Sequence, residues 1–167
     1  MKYTIVPTSE DYIDDFWTAL DSVARERQYI AWIEGPPKEA TLNFIKGLIK
    51  DGDIQFLALV DGKVVGWCDI TRIRRPLHAH CGTLGMGVMK DFRGLGIGQA
   101  LMQASLEKAW SIGLARVELT VRAGNARALG LYKKVGFSHE GVKKDAVCLD
   151  GAYEDLICMG LVHKDRA

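Results

Sequence analysis

One stretch limits the folds open to this chain more than any other: Val88-Met89-Lys90-Asp91-Phe92-Arg93-Gly94-Leu95-Gly96-Ile97-Gly98-Gln99-Ala100-Leu101-Met102. An apolar, strand-like run ends at Met89, a short polar turn follows, and a glycine-rich segment opens a helix. Glycine lets the backbone turn tightly and approach a ligand where a Cβ would intrude. The first N–H groups of a helix have no acceptor within it, and the helix dipole puts partial positive charge there. Strand, glycine loop and helix start together make a cradle for a phosphate or pyrophosphate. Arg93 adds a cation at its entrance.

The spacing separates this loop from two better-known phosphate cradles. A P-loop needs Lys-Ser/Thr after its last glycine, and here Gln99-Ala100 follows Gly98. A dinucleotide fingerprint needs G-x-G-x-x-G in the first strand–turn–helix of its domain. Here the order is Gly94-x-Gly96-x-Gly98, past mid-chain, with Glu118 inside the next strand run and not at its end. Arg-x-x-Gly-x-Gly at Arg93, Gly96 and Gly98 instead resembles the pyrophosphate-binding signature of the GNAT (Gcn5-related) N-acetyltransferases.

The rest of the chain reads as one domain over residues 1–167, a length that suits a full core. A net charge of +1 supplies no global attraction to nucleic acid or to an anionic membrane. No apolar run approaches the length of a membrane span, and Met1-Lys2-Tyr3 leads into a strand-like run, unlike a signal-peptide core. Cys68, Cys81, Cys148 and Cys158 lack C-x-x-C spacing and read as buried, reduced thiols of a cytoplasmic protein.

In chain order, Tyr3–Val6 is a strand stopped by Pro7. Thr8 or Ser9 can cap a helix with Ile13, Phe16, Trp17, Leu20, Val23 and Ala24 at helical spacing. A second helix runs from about Lys38 to Lys50. Gln55–Val60 and Val64–Ile73 form a hairpin around Asp61-Gly62, and a basic connector leads to a strand over Cys81–Met89. In that strand Gly82, Gly85 and Gly87 predict a bulge or a close backbone approach. The glycine loop opens a helix that ends near Ile112, with Gly113 as its C-cap. A strand at Arg116–Arg122, a helix from Asn125 to Gly136, and strands at Phe137–Lys144 and Ala152–Val162 around Asp150-Gly151 complete a mixed α/β order.

Asn125-Ala126-Arg127-Ala128-Leu129-Gly130-Leu131-Tyr132-Lys133-Lys134-Val135-Gly136-Phe137 resembles the second conserved block of the same family, through its helix-starting Asn, its Tyr and its terminal Gly-Phe. On their own, Asn125 and Tyr132 would read as a helix cap and a core tyrosine. Both blocks occur in the family's order, and the element order fits across essentially the whole chain. The resemblance implies a GNAT-type α/β fold, with a mostly antiparallel seven-stranded sheet flanked by about four helices. It also implies acetyl-CoA as co-substrate, wedged between two splayed strands. Met86, Gly87 and Val88 would meet the pantetheine arm; Arg93, Gly94, Leu95, Gly96, Ile97 and Gly98 the pyrophosphate; Asn125 the pantetheine side. Tyr132 occupies the position of the family's general acid. A free thiol has a pKa of about 8.5, so a neutral phenol suits protonation of its thiolate.

An amine acceptor is mostly protonated at neutral pH, so a base or a water chain is expected. Glu118, on the strand beside the gap, is one candidate. Asp69, His78 and His80 lie on or near neighbouring strands, and each has an ordinary alternative as a surface-facing strand residue. His-x-His at His78 and His80 completes no metal-ligand set, so no metal is expected. Arg72, Arg74 and Arg75 lack interleaved aromatics, which disfavours nucleic acid; one of them could pair with a substrate carboxylate.

Glu140-Gly141, Lys143-Lys144 and Asp150-Gly151-Ala152-Tyr153-Glu154-Asp155 extend the resemblance to the branch that contains bacterial L-amino-acid N-acyltransferases. They also look similar to enzymes that acetylate ribosomal-protein N-termini. The expected activity is acetyl transfer from acetyl-CoA to a primary amine of a small molecule, with an amino acid as one candidate. The rivals are a protein N-terminal or lysine acetyltransferase and a non-catalytic acyl-CoA sensor. Many such domains dimerise, so a homodimer is a further expectation.

Overall fold

Both hairpin turns take the conformation their Asp-Gly pairs favour. In the computed structural model, which describes residues 1–166, φ is +48° and +76° at Asp61-Gly62 and +50° and +79° at Asp150-Gly151. Positive φ at both central residues marks the turn type that matches the twist of the flanking strands. Thus β2 (Ile54–Val60) pairs antiparallel with β3 (Lys63–Arg72), and β6 (Ser138–Leu149) with β7 (Ala152–Val162). With β1 (Thr4–Pro7), β4 (Cys81–Val88) and β5 (Arg116–Arg122), they form one sheet in the order β1-β2-β3-β4-β5-β7-β6. Every neighbouring pair is antiparallel except β4 and β5.

The helices cover both faces. On one, α1 (Ile13–Arg25) and α2 (Lys38–Asp51) bury Phe16, Ala19, Val23, Ile45 and Leu48 against Leu57, Val64 and Trp67. On the other, α3 (Ile97–Ser111) buries Ile97, Leu101, Met102, Leu106 and Ala109 against Ala58, Cys68, Ile70 and Val117. Next to it, α4 (Ala126–Val135) adds Tyr132 to that core. Burying one such side chain contributes about 1.5–3 kcal/mol. Among the described residues, no helix is long and apolar enough to cross a membrane.

Several local expectations change. The first helix is preceded by a short tight turn at Glu10–Tyr12, and the Ser9 side chain makes no cap bond. The expected bulge in β4 is absent, because its pairing with β3 runs in unbroken register from Arg72–Gly82 to Gly66–Val88. Its glycines instead make room for β3 side chains: a Cβ on Gly87 would lie 2.4 Å from the Trp67 ring, and one on Gly82 2.6 Å from Ile70. Strand β6 continues to Leu149, past the polar Lys143-Lys144-Asp145, by means of register shifts and a φ of +50° at Asp145. Edge strands tolerate such irregularities. All four cysteines are free; Cys68 and Cys81 are buried, whereas Cys158 is half-buried and Cys148 exposed on the edge strand.

Candidate active site

The parallel pairing of β4 with β5 is short. Only Cys81, Gly82 and Thr83 pair, with Arg116, Val117 and Glu118. Beyond them β4 stays on β3 and β5 stays on β7, so the two diverge. The resulting cleft has a volume of about 1020 Å³. Gly85, Met86, Gly87 and Val88 line one wall, and Thr120, Val121 and Arg122 the other.

The glycine loop closes one end. Gly94 and Gly96 have φ of +76° and +82°, which L side chains rarely adopt, and Gly96 is the residue from which α3 starts. The N–H groups of Ile97, Gly98 and Gln99 therefore begin the helix without an acceptor inside it. A Cβ on Gly98 would come within 3.1 Å of Leu131 and 3.4 Å of the Met86 methyl group, so its absence keeps the cleft open between β4 and α4. Gly94, Gly96 and Gly98 line the cleft. Leu95 and Ile97 do not line the cleft: the side chain of Ile97 is buried in the core and that of Leu95 is exposed.

Arg93 lines the cleft but does not present a free charge. Its Nε donates to the Val88 carbonyl at 2.8 Å, and its two terminal nitrogens hold both carboxylate oxygens of Glu26. The guanidinium also lies 4.6 Å from the centre of the Tyr29 ring. Arg93 thereby ties the segment after α1 to the glycine loop. The cleft's uncompensated charge belongs to Lys90, Arg127 and Lys134, which line it and form no salt bridge among the described residues. Sequence reasoning missed these three, because lone basic residues on loops and helix ends have no distinctive spacing.

Asn125 and Tyr132 both line the cleft. Asn125 caps α4, its Oδ1 accepting from the Ala128 N–H at 3.1 Å. Tyr132 is 7% exposed and packs edge-on against Phe137 at 5.9 Å. Burial pushes its phenol well above the ordinary value, so it is a neutral hydroxyl across the physiological range.

The base candidates separate. Glu118 sits opposite Thr83, at the paired end of β4 and β5, and does not line the cleft. Its carboxylate accepts from Arg116 at 3.2 Å, and Arg116 also holds Glu140. Glu118 thus stands in the last pair before the strands part, with its carboxylate held in an ion pair with Arg116. His78 and His80 are exposed before β4, at the end opposite the glycine loop, and line neither cavity described here. Arg72 and Arg74 bind Asp53 at 3.0 and 2.9 Å, and with Arg75 they too line neither cavity.

Asp69 is the exception. It lies opposite Gln55 on β2 and Gly85 on β4. It lines a second cavity of about 410 Å³, bounded by α1, α2 and the segment that joins them. Ile30, Ala31, Gly85 and Met86 line both cavities, so the two adjoin. Burial pushes the Asp69 carboxyl up to about 7, and the facing Gln55 amide opposes this only in part.

The joining segment is strapped down at several points. Trp17 Nε1 donates to the Pro36 carbonyl at 2.6 Å, and Asp21 accepts from the Gly35 N–H at 2.7 Å. Besides the Glu26–Arg93 pair, Arg27 binds Asp150 at 2.9 Å and offers its carbonyl to Arg122 at 3.0 Å.

Comparison with known proteins gives this geometry a family. The model of the Acetyltransferase (GNAT) family matches residues 12–137. An L-amino acid N-acetyltransferase of Escherichia coli strain K12 is 36% identical over 115 residues, 68% of this chain and 70% of that one. A [ribosomal protein bS18]-alanine N-acetyltransferase of the same strain is 32% identical over 76 residues, 46% of this chain and 51% of its own length. Among solved structures, a phosphinothricin acetyltransferase from Sinorhizobium meliloti in complex with acetyl-CoA superposes with a TM-score of 0.92 at 16% identity, covering 100% of this chain and 91% of that one. The chain belongs to the acetyltransferase (GNAT) family, whose members draw the acetyl group from acetyl-CoA.

Proposed function

We propose that this protein transfers the acetyl group of acetyl-CoA to a primary amine of a small molecule, with free amino acids the first acceptors to try. The observation that carries the reading is the cleft between β4 and β5, closed at one end by the glycine loop. The residues present fit the co-substrate. Gly94, Gly96 and Gly98 leave backbone N–H groups and space where side chains would stand, and Lys90, Arg127 and Lys134 add positive charge for phosphates. Met86, Gly87 and Val88 line the wall that would take the pantetheine arm, with Asn125 on the facing side. Bound acetyl-CoA would supply an activated acetyl thioester. Backbone N–H near Val88 would polarise its carbonyl, and the neutral Tyr132 hydroxyl would donate a proton to the departing sulfur.

The strapped segment after α1 favours a small acceptor over a protein chain. Glu26, Arg27, Gly35 and Pro36 are all fastened, and Ile30 and Ala31 lie along both cavities. The amino-acid acetyltransferase among the relatives supports the same choice, while the ribosomal-protein enzyme keeps peptide N-termini as the second reading. Thiol release from acetyl-CoA against free amino acids, polyamines, amino sugars and short peptides tests it. Turnover confined to small amines is expected. Turnover with peptides alone would transfer the assignment to protein acetylation, and CoA binding without any turnover would leave a sensor.

A further inference from the structure

The geometry points to Asp69 as the group that receives the acceptor amine, and to a primary amine with an apolar body as the acceptor that the second cavity takes. This rests on the acetyltransferase reading of the first cleft. The second cavity's walls are mostly apolar: Phe16, Leu20, Phe44, Trp32, Trp67 and Met86. Asp69 is the one charged side chain that lines it among the described residues, and Thr41 adds a hydroxyl. The flanking elements offer no compensating cation: α1 contributes Phe16 and Leu20, α2 Thr41 and Phe44, β4 Gly85 and Met86, and the joining segment Ile30 to Trp32.

Two polar residues beside this cavity and Asp69 lack full hydrogen bonding. Thr41 and Gln55 are each 3% exposed; the Thr41 hydroxyl has no hydrogen-bond partner, and the Gln55 amide, which faces Asp69, has none beyond that weak contact. An unsatisfied buried polar group costs about 1–3 kcal/mol, and the Thr41 hydroxyl, which lines the cavity, is the one a bound ligand could satisfy. An ammonium group brings three donors and one positive charge, which complements Asp69 and the Thr41 oxygen. A ligand without an ammonium group would leave the carboxylate unpaired.

Position completes the case. Asp69 faces Gly85, where a Cβ would stand 3.2 Å from its Oδ1, and Gly85 lines both cavities. An amine held by Asp69 therefore sits where the acceptor pocket opens into the cleft. Asp69 takes one proton from the ammonium and leaves a lone pair on nitrogen. That pair forms the C–N bond as the acetyl C–S bond breaks. Tyr132 gives the sulfur a proton and recovers one from the nitrogen, and Asp69 releases its own to solvent. Amine and thioester become amide and thiol, with one proton released for each ammonium consumed. A carboxyl poised near 7 can both accept and release that proton.

The test uses 2-phenylethylamine as probe, with CoA as the non-reactive partner, and tryptophan fluorescence from Trp32 and Trp67 as the binding signal. Asp69→Asn should bind CoA within twofold of wild type, which also shows that it folds. Its affinity for 2-phenylethylamine should drop at least tenfold. Its kcat/KM with acetyl-CoA should drop at least a hundredfold, and the rise of kcat/KM between pH 6 and 8 should flatten. In the wild type, the 13C signal of the Asp69 carboxyl should move when the amine is added. Unchanged amine affinity and pH profile in the variant, or a motionless Asp69 signal, would overturn the assignment. Turnover of glucosamine or spermidine with none of 2-phenylethylamine, L-methionine or L-phenylalanine would overturn the apolar class. Failure of the wild type to bind CoA would sink the acetyltransferase reading, and the acceptor assignment with it.

Discussion

Tyr132 is buried and Asp69 half-buried, and loss of hydration holds each in its neutral form over a wider range than water would. For Tyr132 this secures a proton donor. Tyr132→Phe should lower kcat by about 10²-fold while the CoA dissociation constant stays within twofold, as single-turnover and calorimetric measurements would show. For Asp69 it creates a stability cost whose sign can be worked out. The folded pKa, about 7, lies above the unfolded value near 3.8, so the folded state binds more protons between them. Stability attributable to this carboxyl is therefore lost as pH rises from about 4 to 7 and then levels off. Asp69→Asn should accordingly melt above wild type at pH 8, with the gap narrowing steadily toward pH 4. A constant gap would contradict the burial of the carboxyl. At Gly87 the constraint is steric, because an added methyl would meet the Trp67 ring at 2.4 Å. Gly87→Ala should cost about 1–3 kcal/mol in urea denaturation.

The elements differ in how far their residues announce them. The Asp-Gly turns, the glycine-started helix α3 and the Asn-capped α4 rest on local chemistry, and each stands where the residues place it. The divergence of β4 from β5 does not. The apolar alternation of Val117, Leu119 and Val121 is the same whether the neighbour on one side is a strand or open space, so the family resemblance supplied that feature. Ion-pair partners, one far back in the chain and one on the same strand, bear on two more. Arg93 reads as a free cation until Glu26, far back in the chain, is brought against it. Glu118 reads as an unpaired carboxylate until Arg116 is seen to pair with it, and Glu140 on the irregular edge strand completes that network. The Arg93–Glu26 pair is part-buried, with 16% and 20% of the two side chains exposed. Glu26→Gln should cost about 1–3 kcal/mol of stability, read by urea denaturation, and should speed proteolysis between Arg27 and Glu34.

At the scale of the molecule, a net charge of +1 conceals local asymmetry. The acids near the cleft are spent on arginines, as at Glu26 with Arg93 and Glu154 with Arg122, whereas Lys90, Arg127 and Lys134 are not offset. CoA affinity should therefore fall as salt is raised from 0.05 to 0.5 M, and Lys90→Ala combined with Arg127→Ala should weaken that dependence in calorimetric titrations. The central claim is that one cleft, opened by the parting of two strands and closed by the glycine loop, receives the acetyl donor. The most direct measurement is a 15N NMR titration of the protein with CoA. The largest shifts are expected at the amides of Met86, Gly87 and Val88 and of Gly94 through Gln99. Saturable binding that leaves those amides unmoved, or the absence of binding at millimolar CoA, would contradict it.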